Sequence, residues 1–175
     1  MGINEIMDSY QSLKGRIALV TGGTRGIGKA IAEELESKGA QILTSGSSKN
    51  PAISSSWEYF QVNFAKQDEV ETFANHVAKS NISILINNAG NNIISPFCEI
   101  SQTDFASIMQ INLNSALQLS QAAIPSMKEK GWGRIINIAS IWSKKSKIGR
   151  ASYSASKFGL DGLTLALANE FAEFG

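Results

Sequence analysis

A chain of 175 residues with 43% apolar and 18% charged residues is long enough to bury one substantial core and has the composition of a globular domain. A formal net charge of +1 argues against a nucleic-acid binder or an anionic-membrane anchor, and no apolar run is long enough to span a bilayer. One cysteine, Cys98, excludes an intrachain disulfide, and with a single histidine, His76, a zinc site is not expected.

Residues 1–14 are polar, carry Glu5 and Asp8, and lack both the apolar core of a signal peptide and a myristoylation signal. They read as a flexible arm before a single domain over 15–175, and the expected compartment is the cytoplasm. Ile17 to Val20 reads as a buried strand leading into the glycine-rich stretch Thr21 to Gly28. Ile27, Ile31, Ala32 and Leu35 keep helical spacing beyond it, and Gly39 suits the helix end. A second strand is predicted over 40–45, then a loop or one helical turn over 46–56. Phe60, Val62 and Phe64 alternate as in a third strand, and Val70, Phe73, Ala74 and Val77 mark a helix. Ile82 to Ile86 is continuously apolar, as a strand covered on both faces should be.

Ser101 to Asp104 resembles a capping box opening a long helix to about Lys130, with Pro125 bending it or marking its last turns. Arg134 to Ala139 reads as a fifth strand and Tyr153 to Phe174 as a final helix. Strands and helices alternate throughout. The predicted class is α/β: a Rossmann-type, doubly wound parallel sheet in three αβα layers with right-handed crossovers.

Strand, glycine turn and helix together present bare N–H groups and a helix N-terminus, the arrangement that holds a phosphate. Gly22 suits the tight turn, Gly26 a close approach by pyrophosphate, and Gly28 close packing of helix on strand. The whole turn, Gly22, Gly23, Thr24, Arg25, Gly26, Ile27 and Gly28, is the candidate dinucleotide cradle.

Tyr153 and Lys157 stand four apart, hence on one helix face. An ammonium about 4 Å from the phenol would favour the phenolate by roughly 4 kcal/mol at an effective dielectric of about 20. Ser140 ends the fifth strand, Asn87 to Gly90 follow the fourth, and Asn112 lies within the long helix. In open parallel sheets ligands sit beyond the carboxyl ends of the strands, so Gly22, Asn88, Ser140 and Tyr153 should share one crevice.

TGxxxGIG at Thr21–Gly28, NNAG at Asn87–Gly90 and Ser140 with Tyr153-x-x-x-Lys157, in that order, resemble the short-chain dehydrogenase/reductase family from about Gly15 onward. Within it the chain is most similar to the 3-oxoacyl-(acyl-carrier-protein) reductase-like branch. The resemblance implies hydride transfer between a nicotinamide cofactor and a small carbonyl or alcohol substrate. Tyr153 would be the acid–base and Ser140 would hold the substrate oxygen. Lys157 would bind the nicotinamide ribose and ease loss of the Tyr153 proton, and Asn112 would hold a water in a relay to Lys157. Asn88, Ala89 and Gly90 would border the cofactor, with Tyr153 and Lys157 touching it, and Asn63 would stand beside the adenine where many relatives carry Asp. Pairing through the helices over 103–130 and 153–174 would give a homodimer or homotetramer. Relatives continue beyond the position of Gly175 into two more strands and a substrate lid, so the chain is expected to be a fragment of the family fold. The alternative is an inactive relative that binds a nucleotide or a partner without turnover.

NAD-preferring sites usually carry an acidic residue after the second strand. Here that end reads Thr44 to Lys49 with no Asp or Glu, while Arg25, Ser47, Ser48 and Lys49 supply charge and donors. NADP(H) is therefore expected over NAD(H). Lys144, Lys145, Lys147 and Arg150 form either a solvated loop or a reader of anionic substrates, and Trp142 is either a pocket wall or packing.

Overall fold

The computed structural model describes residues 12–175, so the expected arm lies almost wholly outside the described residues. Five strands form one parallel sheet in the order β3-β2-β1-β4-β5. They are β1 (Ile17–Thr21), β2 (Gln41–Gly46), β3 (Glu58–Gln61), β4 (Ile84–Asn87) and β5 (Arg134–Asn137). The helices are α1 (Gly26–Ser37), α2 (Gln67–Lys79), α3 (Gln102–Met109), α4 (Ser115–Glu129) and α5 (Ala151–Phe171).

The sheet is buried on both faces because alternate residues of its central strands pack in opposite directions. Leu19, Leu43 and Leu85 face one core with Phe73 and Val77 of α2 and Leu119 and Ala123 of α4. Ala18, Val20, Ile42, Ile84 and Ile86 face the other with Ala32 of α1 and Trp57. Thr21 pairs with Ser45 and Asn87 with Asn137, which aligns the carboxyl ends of the inner strands. The chain runs outward from β1 in one direction and from β4 in the other, so these two neighbours define the switch point where a ligand crevice forms.

Three expectations change in detail. The third strand starts earlier and ends at Gln61; Val62 keeps one backbone bond to Gly46 of β2, Phe64 lies past the strand, and both are buried in the core beneath the sheet. Ile27 keeps helical spacing but is 67% exposed, because the first turn of α1 overhangs the crevice rather than the core. The long helix is interrupted by a π-helical turn at Gln110–Asn114 between α3 and α4, whereas Pro125 lies inside α4. The expected cap is present: the Ser101 side chain accepts a hydrogen bond from the Asp104 N–H at 2.9 Å. At the sheet edge Ile136 of β5 is 48% exposed, and an apolar groove of about 390 Å³ runs between α4, β5 and α5.

Candidate active site

The glycine turn is shaped by its own backbone and by the segment after β4. Gly22 and Gly26 adopt φ of 65° and 54°, the left-handed region that favours glycine. The Thr21 hydroxyl accepts from the N–H groups of Asn88 and Ala89, both at 2.9 Å. In return the Asn88 amide donates to the carbonyls of Thr21 (2.9 Å) and Gly22 (3.3 Å). A Cβ on Gly28 would collide with that amide and with the Gly22 carbonyl. Asn88 borders the crevice, but its side chain is spent on bracing the turn. Gly23 is buried against Thr44 and does not line the crevice.

Arg25 caps α1 in an extended conformation without a side-chain cap bond, and the first backbone bond of the helix comes from Lys29. The N–H groups of Gly26, Ile27 and Gly28 therefore face the crevice unpaired, with the positive end of the helix dipole behind them. Around a Cβ placed on Gly26 there is open space. This is a cradle with the donor set and the room that a pyrophosphate needs.

The crevice measures about 850 Å³ and runs from Thr24 and Arg25 past Ser47, Ser48 and Asn63 to Ala89 and Gly90. Among the described residues Arg25 is the one charged residue that lines it; no Asp or Glu does, and Lys49 does not. Asn63 turns its carbonyl oxygen to the Ala65 N–H at 3.1 Å, which leaves its NH₂ as the group available to a ligand.

Asn112, Ser140, Tyr153 and Lys157 do not themselves line this crevice, but at its Gly90 end Asn112 and Lys157 come together, with Tyr153 beside Lys157. Lys157 is only 4% exposed and donates to the Ile138 carbonyl, just past β5, at 2.7 Å. Burial pushes this ammonium below its ordinary pKa of 10.5. Its Nζ lies 5.8 Å from the ring centroid of half-buried Tyr153. A Cβ on Gly90 would stand 3.4 Å from Asn112 Oδ1 and 3.8 Å from Lys157 Nζ, so the missing side chain leaves a gap between these two groups. Asn112 is itself buried and held from three directions by Asn91 and Ser156. Ser140 starts the turn Ile141–Ser143, where its Oγ accepts from the Trp142 N–H at 3.2 Å and keeps its own proton for another acceptor.

The cationic loop is partly occupied. Lys144 pairs with Asp161 at 2.9 Å, Lys147 stands 5.6 Å from the Trp142 ring centroid, and none of Lys144, Lys145, Lys147 and Arg150 lines the crevice. His76 lies between Glu58 (3.2 Å) and the rings of Phe60 and Phe73, and Cys98 is exposed.

Sequence reasoning missed the supporting residues: Thr21 as the brace of the turn, Asn50 on the crevice wall, Tyr59 and Gln61 beneath Ser47 and Ser48, and Asn91, Ser115 and Ser156 around Asn112. Asn91 and Ser156 were the most accessible, since each adjoins a motif already singled out.

The fold is a Rossmann-like αβα domain with a crevice beyond the carboxyl ends of its strands. The family profile described as short chain dehydrogenase matches residues 16–175, and the chain belongs to that family of oxidoreductases. It is 37% identical over 171 residues to the 3-oxoacyl-[acyl-carrier-protein] reductase FabG of Haemophilus influenzae, covering 93% of this chain and 71% of that protein. It is 33% identical over 172 residues to the acetoacetyl-CoA reductase of Cupriavidus necator, covering 91% and 70%. Among solved structures, a gluconate 5-dehydrogenase from Burkholderia cenocepacia in complex with NADP and tartrate superposes with a TM-score of 0.85 at 27% identity, covering 97% and 71%. No helix among the described residues is long and apolar enough to cross a membrane.

Proposed function

We propose that this chain carries the cofactor site and catalytic set of an NADP(H)-dependent reductase acting on a 3-oxoacyl thioester or a related small carbonyl. The observation that carries the reading is the approach of Asn112 and Lys157 to Gly90, with Tyr153 beside Lys157, at the far end of a crevice whose one charged lining residue among those described is Arg25. The uncapped N–H groups of α1 would hold the pyrophosphate, Arg25 with Ser47 and Ser48 the 2′-phosphate, Asn63 the adenine, and Lys157 the nicotinamide ribose. The bound cofactor supplies or accepts a hydride.

Tyr153 gives its phenol proton to the carbonyl oxygen of the substrate as the carbon is reduced, and takes it back in the reverse direction. Ser140 Oγ–H donates to the same oxygen and fixes its position. The Lys157 ammonium stabilises the phenolate left behind. Asn112 orders a water in the gap beside Gly90, through which a proton returns to the site.

The substrate preference is argued from the loops around Ser140. Ile94, Phe97, Ile141 and Ile148 are all at least 63% exposed, and the Ser95 N–H donates to the Gly149 carbonyl at 3.3 Å, joining the two loops. That apolar mouth suits an acyl chain better than a polyhydroxy acid. Exposed Phe105, Leu117, Phe158 and Leu165 on α3, α4 and α5 support self-association through these helices. The test is NADPH oxidation with acetoacetyl-CoA and, in parallel, with 5-ketogluconate. Turnover confined to the thioester supports the reading; turnover of the sugar acid alone would reject the acyl preference.

A further inference from the structure

We propose that Tyr59 and Gln61, two side chains of β3 that line no part of the crevice, are positioning residues that make the end of β2 selective for a dinucleotide bearing a 2′-phosphate. The inference rests on the crevice being an NADP(H) site, and it explains how a loop with one nearby cation would discriminate.

Three successive carbonyls in this loop are tied to β3. The Gly46 carbonyl accepts from the Val62 N–H at 2.9 Å and lies 2.7 Å from the Tyr59 hydroxyl. The Ser47 carbonyl accepts from the Gln61 amide at 3.2 Å. The Ser48 carbonyl lies 2.6 Å from the same Tyr59 hydroxyl, whose single proton serves the two carbonyls in turn. Because neither Tyr59 nor Gln61 borders the crevice while Gly46, Ser47 and Ser48 do, these bonds draw the carbonyl oxygens away from it.

The consequence is electrostatic. A phosphate brought to this rim meets the Ser47 and Ser48 hydroxyls and the Arg25 guanidinium, not the negative ends of three peptide dipoles. Among the described residues no carboxylate lines the crevice to repel it. A 2′-hydroxyl, which both donates and accepts, is far less sensitive to the direction of those carbonyls. Burial pushes the Tyr59 phenol above its ordinary pKa of 10.0, so it remains an O–H donor across neutral and mildly alkaline pH. Gly46 also has Thr24, the residue before Arg25, on its other side: a Cβ there would lie 3.3 Å from a Thr24 carbon and 3.5 Å from the Tyr59 oxygen. The absence of a side chain at Gly46 thus lets the loop sit between Thr24 of the glycine turn and the Tyr59 hydroxyl.

The experiment is a fluorescence titration of the 175-residue chain with NADPH and with NADH, for the wild type, Tyr59→Phe and Gln61→Met. Each variant deletes a donor at nearly constant shape. For Tyr59→Phe the NADPH affinity should fall about tenfold with NADH affinity within twofold, since the loss of one net hydrogen bond acts on the phosphate rim alone. A residue that merely supports the fold would weaken both cofactors together, and an unchanged NADPH/NADH ratio in Tyr59→Phe overturns the proposal. Should that variant fail to fold, Gln61→Met decides the matter by the same ratio. A wild type without preference for NADPH would instead remove the cofactor reading itself, before any variant is compared.

Discussion

Asn112 meets the backbone of Asn91 at both ends of its amide: Oδ1 accepts from the Asn91 N–H at 2.8 Å, and Nδ2 donates to the Asn91 carbonyl at 2.9 Å. The same Nδ2 donates to Ser156 Oγ, on the helix of Tyr153 and Lys157, at 3.0 Å. One side chain thereby joins the segment after β4 to α5. It is aimed there by the π-helical turn, whose extra residue rephases the helix around Asn112.

That turn depends on Ser115. The Ser115 N–H bonds to the Gln110 carbonyl, five residues back, and so forsakes its α-helical partner, the Ile111 carbonyl. The Ser115 hydroxyl takes its place, 2.9 Å from the Ile111 carbonyl and 2.6 Å from that of Gln110. Ser115→Ala should cost about 1 kcal/mol in urea denaturation, because it leaves the partly buried Ile111 carbonyl without its hydroxyl partner. The same variant should lower kcat more than it raises KM, as relaxation to a regular helix turns Asn112 away from Asn91.

Two glycines of the turn should respond differently to alanine. At Gly26 there is room for a methyl group, but φ of 54° makes Gly26→Ala cost about 1–2 kcal/mol of backbone strain. At Gly28 the methyl group would meet the Asn88 amide and the Gly22 carbonyl, so the whole brace must shift. Gly28→Ala should abolish NADPH binding, whereas Gly26→Ala should remain folded with a measurable loss of Tm. Calorimetry and cofactor titration on the two variants check this.

Gly90→Ala fills a gap instead of straining a turn. Its methyl group would sit in ordinary contact with Asn112 Oδ1 and Lys157 Nζ, 3.4 and 3.8 Å away. The variant should fold with a near-native Tm and still lose at least about tenfold in kcat if a relay water occupies that space. A fully active Gly90→Ala would exclude a water there.

Lys157 gives a pH dependence. The folded chain holds its proton less tightly than the unfolded one, whose lysine titrates near 10.5. Burying the charge is therefore a penalty at neutral pH, and it is relieved as pH rises from the depressed folded value towards 10.5. Compared with Lys157→Met, the wild type should gain relative stability over that alkaline interval in pH-resolved denaturation. Activity should move the opposite way, falling in the wild type as the ammonium loses its proton, with a midpoint below 10.5.

The alternation of β1, α1, β2 and the later elements was legible because each buried strand carries an apolar run, and the strands stand apart by helix-length segments. The glycine turn and the candidates Ser140, Tyr153 and Lys157 could be singled out because they sit in short local motifs, whereas Asn112 entered only through the family resemblance. The π-helical turn was not: a serine hydroxyl bonded back to two carbonyls leaves no mark on apolar spacing, and Asn91 and Ser156, which hold Asn112, lie 21 and 44 residues away. The exposure of Ile27 escaped periodicity for a related reason, since helical spacing identifies a face but not what lies above the first turn. The bracing of the turn by Asn88 and Thr21 is likewise a contact across 67 residues.

The central claim is tested most directly by Tyr153→Phe, with NADPH binding and the single-turnover oxidation of NADPH by acetoacetyl-CoA measured on the same samples as the wild type. The account predicts that the variant binds NADPH within about threefold of the wild type while oxidation slows by about two to four orders of magnitude, the worth of a positioned general acid. Equal oxidation rates in the two proteins, or a wild type that binds NADPH and oxidises none, would contradict it.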